Sequence, residues 1–223
     1  ITWRSVVQIR PPQPNKMFFK LKYLGNFFIN YNKILFPTLF YEIIYSLKYF
    51  EFGSHLTGSK NSVATDTVPC VYYFLNKIAK FIKKNKIKSI IDLGSGFGRV
   101  TNFLADNTNS KITGFELDKQ VFEKSIKLKN KRVKIFNKNI LEVNFSKNKA
   151  KCYIIIDPLK KPKDTIELQK KIISANKQKK NKTYIVIVNI NKKLINKKLK
   201  IIESFRVNKN KTGYSPSITF CYI

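Results

Sequence analysis

The chain has 223 residues and a hydrophobic content of 43%, enough for one α/β domain with a packed core plus an N-terminal extension. It holds no run of about twenty uncharged apolar residues, which argues against a transmembrane segment. No basic, apolar, small-residue pattern opens it, so no secretory signal is expected. The formal charge of +31 invites a nucleic-acid partner, yet it comes from 39 Lys and only 5 Arg. Lys, Asn and Ile make up 90 of the 223 residues, and their codons are almost wholly A and T. A low-G+C genome produces such a composition without selecting a partner. Arg, the residue suited to bidentate phosphate and guanine contacts, is scarce. Nucleic acid is therefore a partner that the charge allows but does not favour.

Cys70, Cys152 and Cys221 form no close pair and no zinc spacing, which fits buried, unpaired thiols in a reducing compartment and a cytoplasmic location. His55, the sole histidine, reads as a solvated loop residue rather than a catalytic base.

The first sixteen residues differ from everything downstream. They contain two of the five Arg, three Pro and the only Trp. The stretch VVQIRPPQP back-translates to GTG GTT CAA ATC CGC CCC CCG CAA CCA. That string contains GGTTCAAATCC, which resembles the T-arm core of a transfer RNA gene, and it ends in CCA. Met17 is the only methionine. Translation is expected to start there, with residues 1–16 a disordered, mis-called upstream frame. Residues 17–61 are expected to form an N-terminal helical cap and 62–223 the main domain.

In the cap, ILFPTLFYEIIYSLKYF is apolar and aromatic, with Pro37 suited to the first turn of a helix. Such a helix over 34–50 covers the core or faces a partner. Peripheral contact with a membrane surface is the other option, since Tyr, Phe and Lys suit an interface. The stretch 52–69 is loop chemistry. CVYYFLNKIAKFIKK then places apolar residues at helical spacing, with Asp66 or Thr67 as cap and Pro69 in the first turn. After it, strands and helices alternate. KSIIDL, KITGFEL, RVKIF, CYIIID and TYIVIVNI read as strands, and RVTNFLADN, KQVFEKSIKLK and TIELQKKIISAN as helices. NKKLINKKLKII reads as a further short helix, and ESFRV and SITFCYI as a final antiparallel pair. The pattern predicts an α/β fold: a mostly parallel seven-stranded sheet with helices on both faces and a C-terminal antiparallel hairpin.

Ligands of open parallel sheets sit outside the carboxyl ends of the strands. Here the first strand ends at Asp92–Leu93 and runs into Gly94, Ser95, Gly96, Phe97, Gly98 and Arg99. A dinucleotide fingerprint would need glycine where Arg99 stands, and an acid beside the loop would repel a pyrophosphate. An NAD-linked dehydrogenase is thereby disfavoured. The register D-x-G-x-G-x-G resembles motif I of the class I S-adenosylmethionine-dependent methyltransferases, a Rossmann-like sandwich. The resemblance covers roughly residues 62–223.

The resemblance implies S-adenosylmethionine as cofactor, with Asp92 toward its methionine end and Gly94, Ser95, Gly96 and Gly98 as the loop beneath it. Glu116 ends the second strand, where the family uses an acid for the ribose hydroxyls. Leu117 or Asp118 would lie beside the adenine edge. Asn139 and Ile140 fall where the family often has Asp and an apolar residue at the adenine amine. Asp157-Pro158-Leu159 falls where amino-methylating members carry Asn/Asp-Pro-Pro-aromatic, and only its first two positions match. Asp157 is the candidate for holding a substrate amine. Thr65, Asp66 and Thr67 resemble a loop that closes over the cofactor in small non-SET protein-lysine methyltransferases, with Thr67 a candidate contact.

The expected activity is methyl transfer to an amine, on protein lysine or a small molecule. An RNA methyltransferase or RNA-binding relative is the alternative, and a catalytically degenerate interaction module the third reading.

Overall fold

The computed structural model describes residues 25, 27–49, 63–65, 68–126, 130–177, 182–207 and 216–223. The sixteen leading residues, His55, Asp66 and Thr67 therefore lie outside the described residues. Helix α1 (Leu35–Tyr49) contains Pro37 in its first turn, and α2 (Tyr72–Lys84) follows the loop. The alternating part then runs β1 (Ser89–Leu93), α3 (Arg99–Asn107), β2 (Lys111–Glu116), α4 (Lys119–Ser125), β3 (Val133–Asn137), β4 (Cys152–Ile156), α5 (Pro162–Asn176), β5 (Tyr184–Val188), β6 (Lys200–Arg206) and β7 (Ser217–Tyr222).

The seven strands form one sheet in the order β3-β2-β1-β4-β5-β7-β6. The first five are parallel, and β7 pairs antiparallel with both β5 and β6. The chain winds outward from β1 to β3, then returns to lay β4 against β1. That reversal puts the topological switch point, and with it the cleft, at the carboxyl ends of β1 and β4.

Period-two alternation sorts the strand residues between two cores. Ile91, Leu93, Tyr153 and Ile155 pack with Leu168 and Ile172 of α5. Ile90, Ile112 and Ile154 pack with α2 and α3 on the other face. Asp92, Gly114 and Glu116 share that second face by parity with Ile90 and Ile112.

Helix α1 caps this face through an aromatic ladder. Tyr41, Tyr45 and Tyr49 recur at i, i+4 and i+8 and stack ring on ring. Tyr45 meets Tyr72 at 5.0 Å and Phe103 edge-on at 4.9 Å. The opposite face of α1 leaves Phe36, Phe40, Ile43 and Leu47 exposed. Among the described residues no helix is long and apolar enough to cross a membrane.

Two local expectations are corrected. The segment 191–202 is not a helix. A short 3-10 turn at Lys192–Leu194, capped by the Asn191 side chain, and a second turn held by Asn196 precede β6. Asn side chains favour such turns, and pairing with β7 draws Lys200 onward into the sheet. Helix α2 begins at Tyr72, not around Pro69, and its N-cap Val71 contributes no side-chain hydrogen bond. The three cysteines are buried and unpaired, as their spacing suggests.

Candidate active site

The loop between β1 and α3 is held by its neighbours on both sides. The N–H groups of Gly94 and Ser95 both donate to the Phe115 carbonyl at 3.0 Å, tying the turn to β2. Gly94, Gly96 and Gly98 all take left-handed φ, at 88°, 55° and 87°. At Gly94 there is also no room, because a Cβ would lie 2.7 Å from Pro158 Cβ in the loop after β4. Gly114 on β2 meets the same limit without a positive φ: a Cβ there would lie 2.9 Å from the Ser95 side chain. Sequence reasoning passed over Gly114, although a glycine inside a strand often marks a close approach.

Asp92 is fully buried and one of its oxygens, Oδ2, finds no hydrogen-bond partner among the described residues. Burial first, and then the charge of Glu116, push its carboxyl up to about 7. It does not itself line the cleft, whose wall is formed by the loop that follows it. Glu116 is 7% exposed and accepts from the N–H of Gly96 at Oε2 and of Asp118 at Oε1, both at 2.8 Å. Burial raises its pKa, and the backbone donors oppose that rise. Ser95 Oγ is a second buried oxygen that finds no partner among the described residues. Two such atoms beneath a backbone cradle fit a ligand rich in hydroxyl and ammonium donors.

The cleft encloses about 950 Å³, solvent included. Ser95, Glu116, Leu117, Asp118, Asn139 and Ile140 line it, together with Pro158 and Leu159. The Asn139 side chain already has local work. Its Oδ1 caps the turn at Leu141 N–H, 3.0 Å away, and its Nδ2 donates to Glu142. Asp157 stands exposed at the end of β4 with φ 38°, and partial desolvation lifts its carboxyl to about 6. Thr65 Oγ1 donates to the Asp157 carbonyl at 2.6 Å, and Thr65 N–H donates to the Pro158 carbonyl. Lys160 N–H donates to the Val63 carbonyl, so 63–65 forms an antiparallel strap on the post-β4 loop. Thr65 thus joins the site, whereas Thr67 lies outside the described residues.

The sequence reading missed the role of Glu42. It is the one acid in the fifteen residues of α1. Its Oε1 accepts the Tyr72 N–H at 2.6 Å, supplying the cap that α2 lacks locally. Its Oε2 pairs with Arg99 Nη1 at 2.9 Å. The Arg99 guanidinium lies over the Tyr72 ring, 4.4 Å from its centroid. A lone acid in a largely apolar and aromatic helix is the available signal.

A family model described as ribosomal RNA adenine dimethylase matches residues 73–204. The chain belongs to that family. Its fold is the Rossmann-like one of the class I S-adenosylmethionine-dependent methyltransferases. Among curated proteins, it is 38% identical over 84 residues to the ribosomal RNA small subunit methyltransferase A of Mesomycoplasma hyopneumoniae (strain 232). The match takes in 35% of this chain and 31% of that protein, so the chain spans about a third of the relative's length. The fold is similar to that of a solved RNA methyltransferase from Salinibacter ruber in complex with S-adenosyl-L-homocysteine. The TM-score is 0.51 at 16% identity, covering 70% of this chain and 94% of that one. The magnesium protoporphyrin IX methyltransferase of Synechocystis PCC 6803, solved with S-adenosylmethionine, gives 0.50 at 9% identity over 67% and 78% of the two chains. The family does not support the low weight that composition placed on a nucleic-acid partner.

Proposed function

We propose that the chain methylates RNA at the exocyclic amine of adenine, with ribosomal RNA as the substrate class. The family match carries this reading, because it spans both the glycine loop and the Asp157 turn. When bound, S-adenosylmethionine supplies a methyl group on a sulfonium for in-line transfer. Asp92, Ser95 and the Gly94–Gly98 loop would hold its methionine portion and Glu116 its ribose. Leu117 and Ile140 would enclose the adenine, with Asn139 at its edge. Asp157, ionised above about pH 6, would accept a hydrogen bond from the substrate amine and orient it.

The composition of the cleft favours an aromatic amine over lysine. No His or Lys is among the described residues that line it. A lysine acceptor, with a pKa near ~10.4, must lose a proton before it attacks. The adenine amine is already neutral, so alignment is the main requirement. The net charge of +31 also draws a polyanion toward the cleft, whatever its genomic origin.

The test supplies the full chain with methyl-labelled S-adenosylmethionine and, in parallel, an unmodified small-subunit ribosomal RNA transcript and a lysine-rich protein. Label recovered as N6-methylated adenosine, with binding that weakens steeply with salt, is expected. Label on lysine alone would restore the protein-amine reading. Tight cofactor binding with no labelled acceptor would favour a degenerate module.

A further inference from the structure

The cofactor's methionine end carries two opposite charges, an ammonium and a carboxylate. The acids at this site suit the first and repel the second. Arg99 is the one cationic side chain among the described residues that line the cleft. It sits in the first turn of α3, directly after the glycine loop, and is 9% exposed. The adenine-side candidates Asn139 and Ile140 instead follow β3, two strands away from β1 in the sheet. Resting on the cofactor reading above, we propose that Arg99 binds the α-carboxylate of the methionine moiety, and that Glu42 holds the guanidinium in position for it.

The geometry around Arg99 is that of a fixed donor group. Glu42 engages Nη1 at 2.9 Å, the Cys70 carbonyl lies 3.4 Å from the same nitrogen, and the Tyr72 ring lies beneath the plane. A guanidinium presents its donors as a rigid fork, which can engage two carboxylates in one plane. Glu42 is in turn fixed through its second oxygen by the Tyr72 N–H. The surroundings of Cys70 show how close these charges lie. Burial pushes its thiol up, Arg99 opposes the rise, and Glu42 and Asp92 add to it. Arg99 lines the cleft and Asp92 lies buried beneath the loop that walls it, so groups of opposite charge stand near one end of the site, as a zwitterion requires.

Calorimetric titration of the full chain with S-adenosylmethionine and with its decarboxylated analogue tests this, because the two ligands differ only in the carboxylate. Arg99→Met should weaken binding of S-adenosylmethionine roughly 10- to 100-fold, as for loss of a charge-assisted hydrogen bond. It should leave the analogue within about twofold. Glu42→Gln should show the same ligand selectivity with a smaller loss, the signature of a positioning residue. Arg99→Lys keeps the charge and guards against misfolding. It should retain part of the wild-type preference for the carboxylated ligand. Equal weakening of both ligands, or unchanged affinity for S-adenosylmethionine, would overturn the proposal and leave Arg99 a structural anchor. Binding of neither ligand by the wild-type protein would instead overturn the cofactor assignment on which it rests.

Discussion

At the ends of β1 and β2, two carboxylates are buried, three glycines hold left-handed φ, and two N–H groups fasten the loop to the Phe115 carbonyl. At the end of β4, Asp157 is exposed, and the strap 63–65 joins its turn by a few hydrogen bonds. One end of the cleft is preorganised by buried acids and by glycines that take left-handed φ without penalty, and the other is open, its one strained residue being Asp157 at φ 38°. On the function proposed above, the closed end would grip a small cofactor, and the open end would leave its wall to be completed by the surface of a macromolecular acceptor.

The sharpest test of that contrast is pH. Asp92 rises from an ordinary 3.8 to about 7 on folding, chiefly through burial and next through Glu116. The native state therefore keeps a proton that the unfolded chain releases. Stability of the ligand-free protein should fall as pH rises between these values, by about 4 kcal/mol at most. Denaturant melts at pH 5 and pH 8 should show up to about 3 kcal/mol of this loss in the wild type and a smaller one in Asp92→Asn, where Asp157 and Glu116, also raised by burial, still titrate. Cofactor affinity should move the other way, rising toward pH 8 in the wild type, because a cation prefers the ionised acid. A flat wild-type stability profile would contradict the burial of an unpaired carboxylate.

Gly94→Ala comes next. A side chain there meets both a positive φ and the Pro158 ring, which together should cost about 3 kcal/mol. Urea melts would measure the loss, and a mutant as stable as the wild type would show that the two loops are not locked together. At the open end, Asp157→Asn should lower turnover roughly 10- to 100-fold while cofactor affinity changes by less than about twofold. A matching loss of affinity would place Asp157 with the cofactor instead. Thr65→Val, which removes one hydrogen bond of the strap, should cost about 1 kcal/mol and raise the apparent KM for the acceptor more than it lowers kcat. Unchanged kinetics would mean that the strap is ornamental to substrate entry.

Legibility in the sequence followed locality. The β1–loop–α3 unit was readable because its strand period, its acid and its glycines lie within eleven residues of one another. The start of α2 was misplaced because its cap comes from Glu42, thirty residues upstream. The stretch 191–202 reads as a helix by spacing alone, which cannot register that Lys200 and Ile201 pair with β7, about twenty residues further along the chain. Asn139 was placed at the adenine by resemblance, yet its cap on the Leu141 N–H answers to the local turn. The charge was legible but ambiguous, since codon bias and RNA affinity leave the same lysines.

Helix α1 bears on how far the catalytic part can be treated as a module. The family match begins at residue 73 and the expected domain border lies near 62, so a truncated chain cut at either point would omit Glu42. Such a chain would keep every motif and lose both the Glu42–Arg99 ion pair and the Glu42 cap on the Tyr72 N–H. It would also strip the tyrosine ladder from Tyr72 and Phe103. The recognisable domain thus takes a helix cap and an aromatic cover from outside its own borders. Grafting or trimming this enzyme should treat α1 as part of its catalytic half, however ordinary its sequence looks beside the glycine loop.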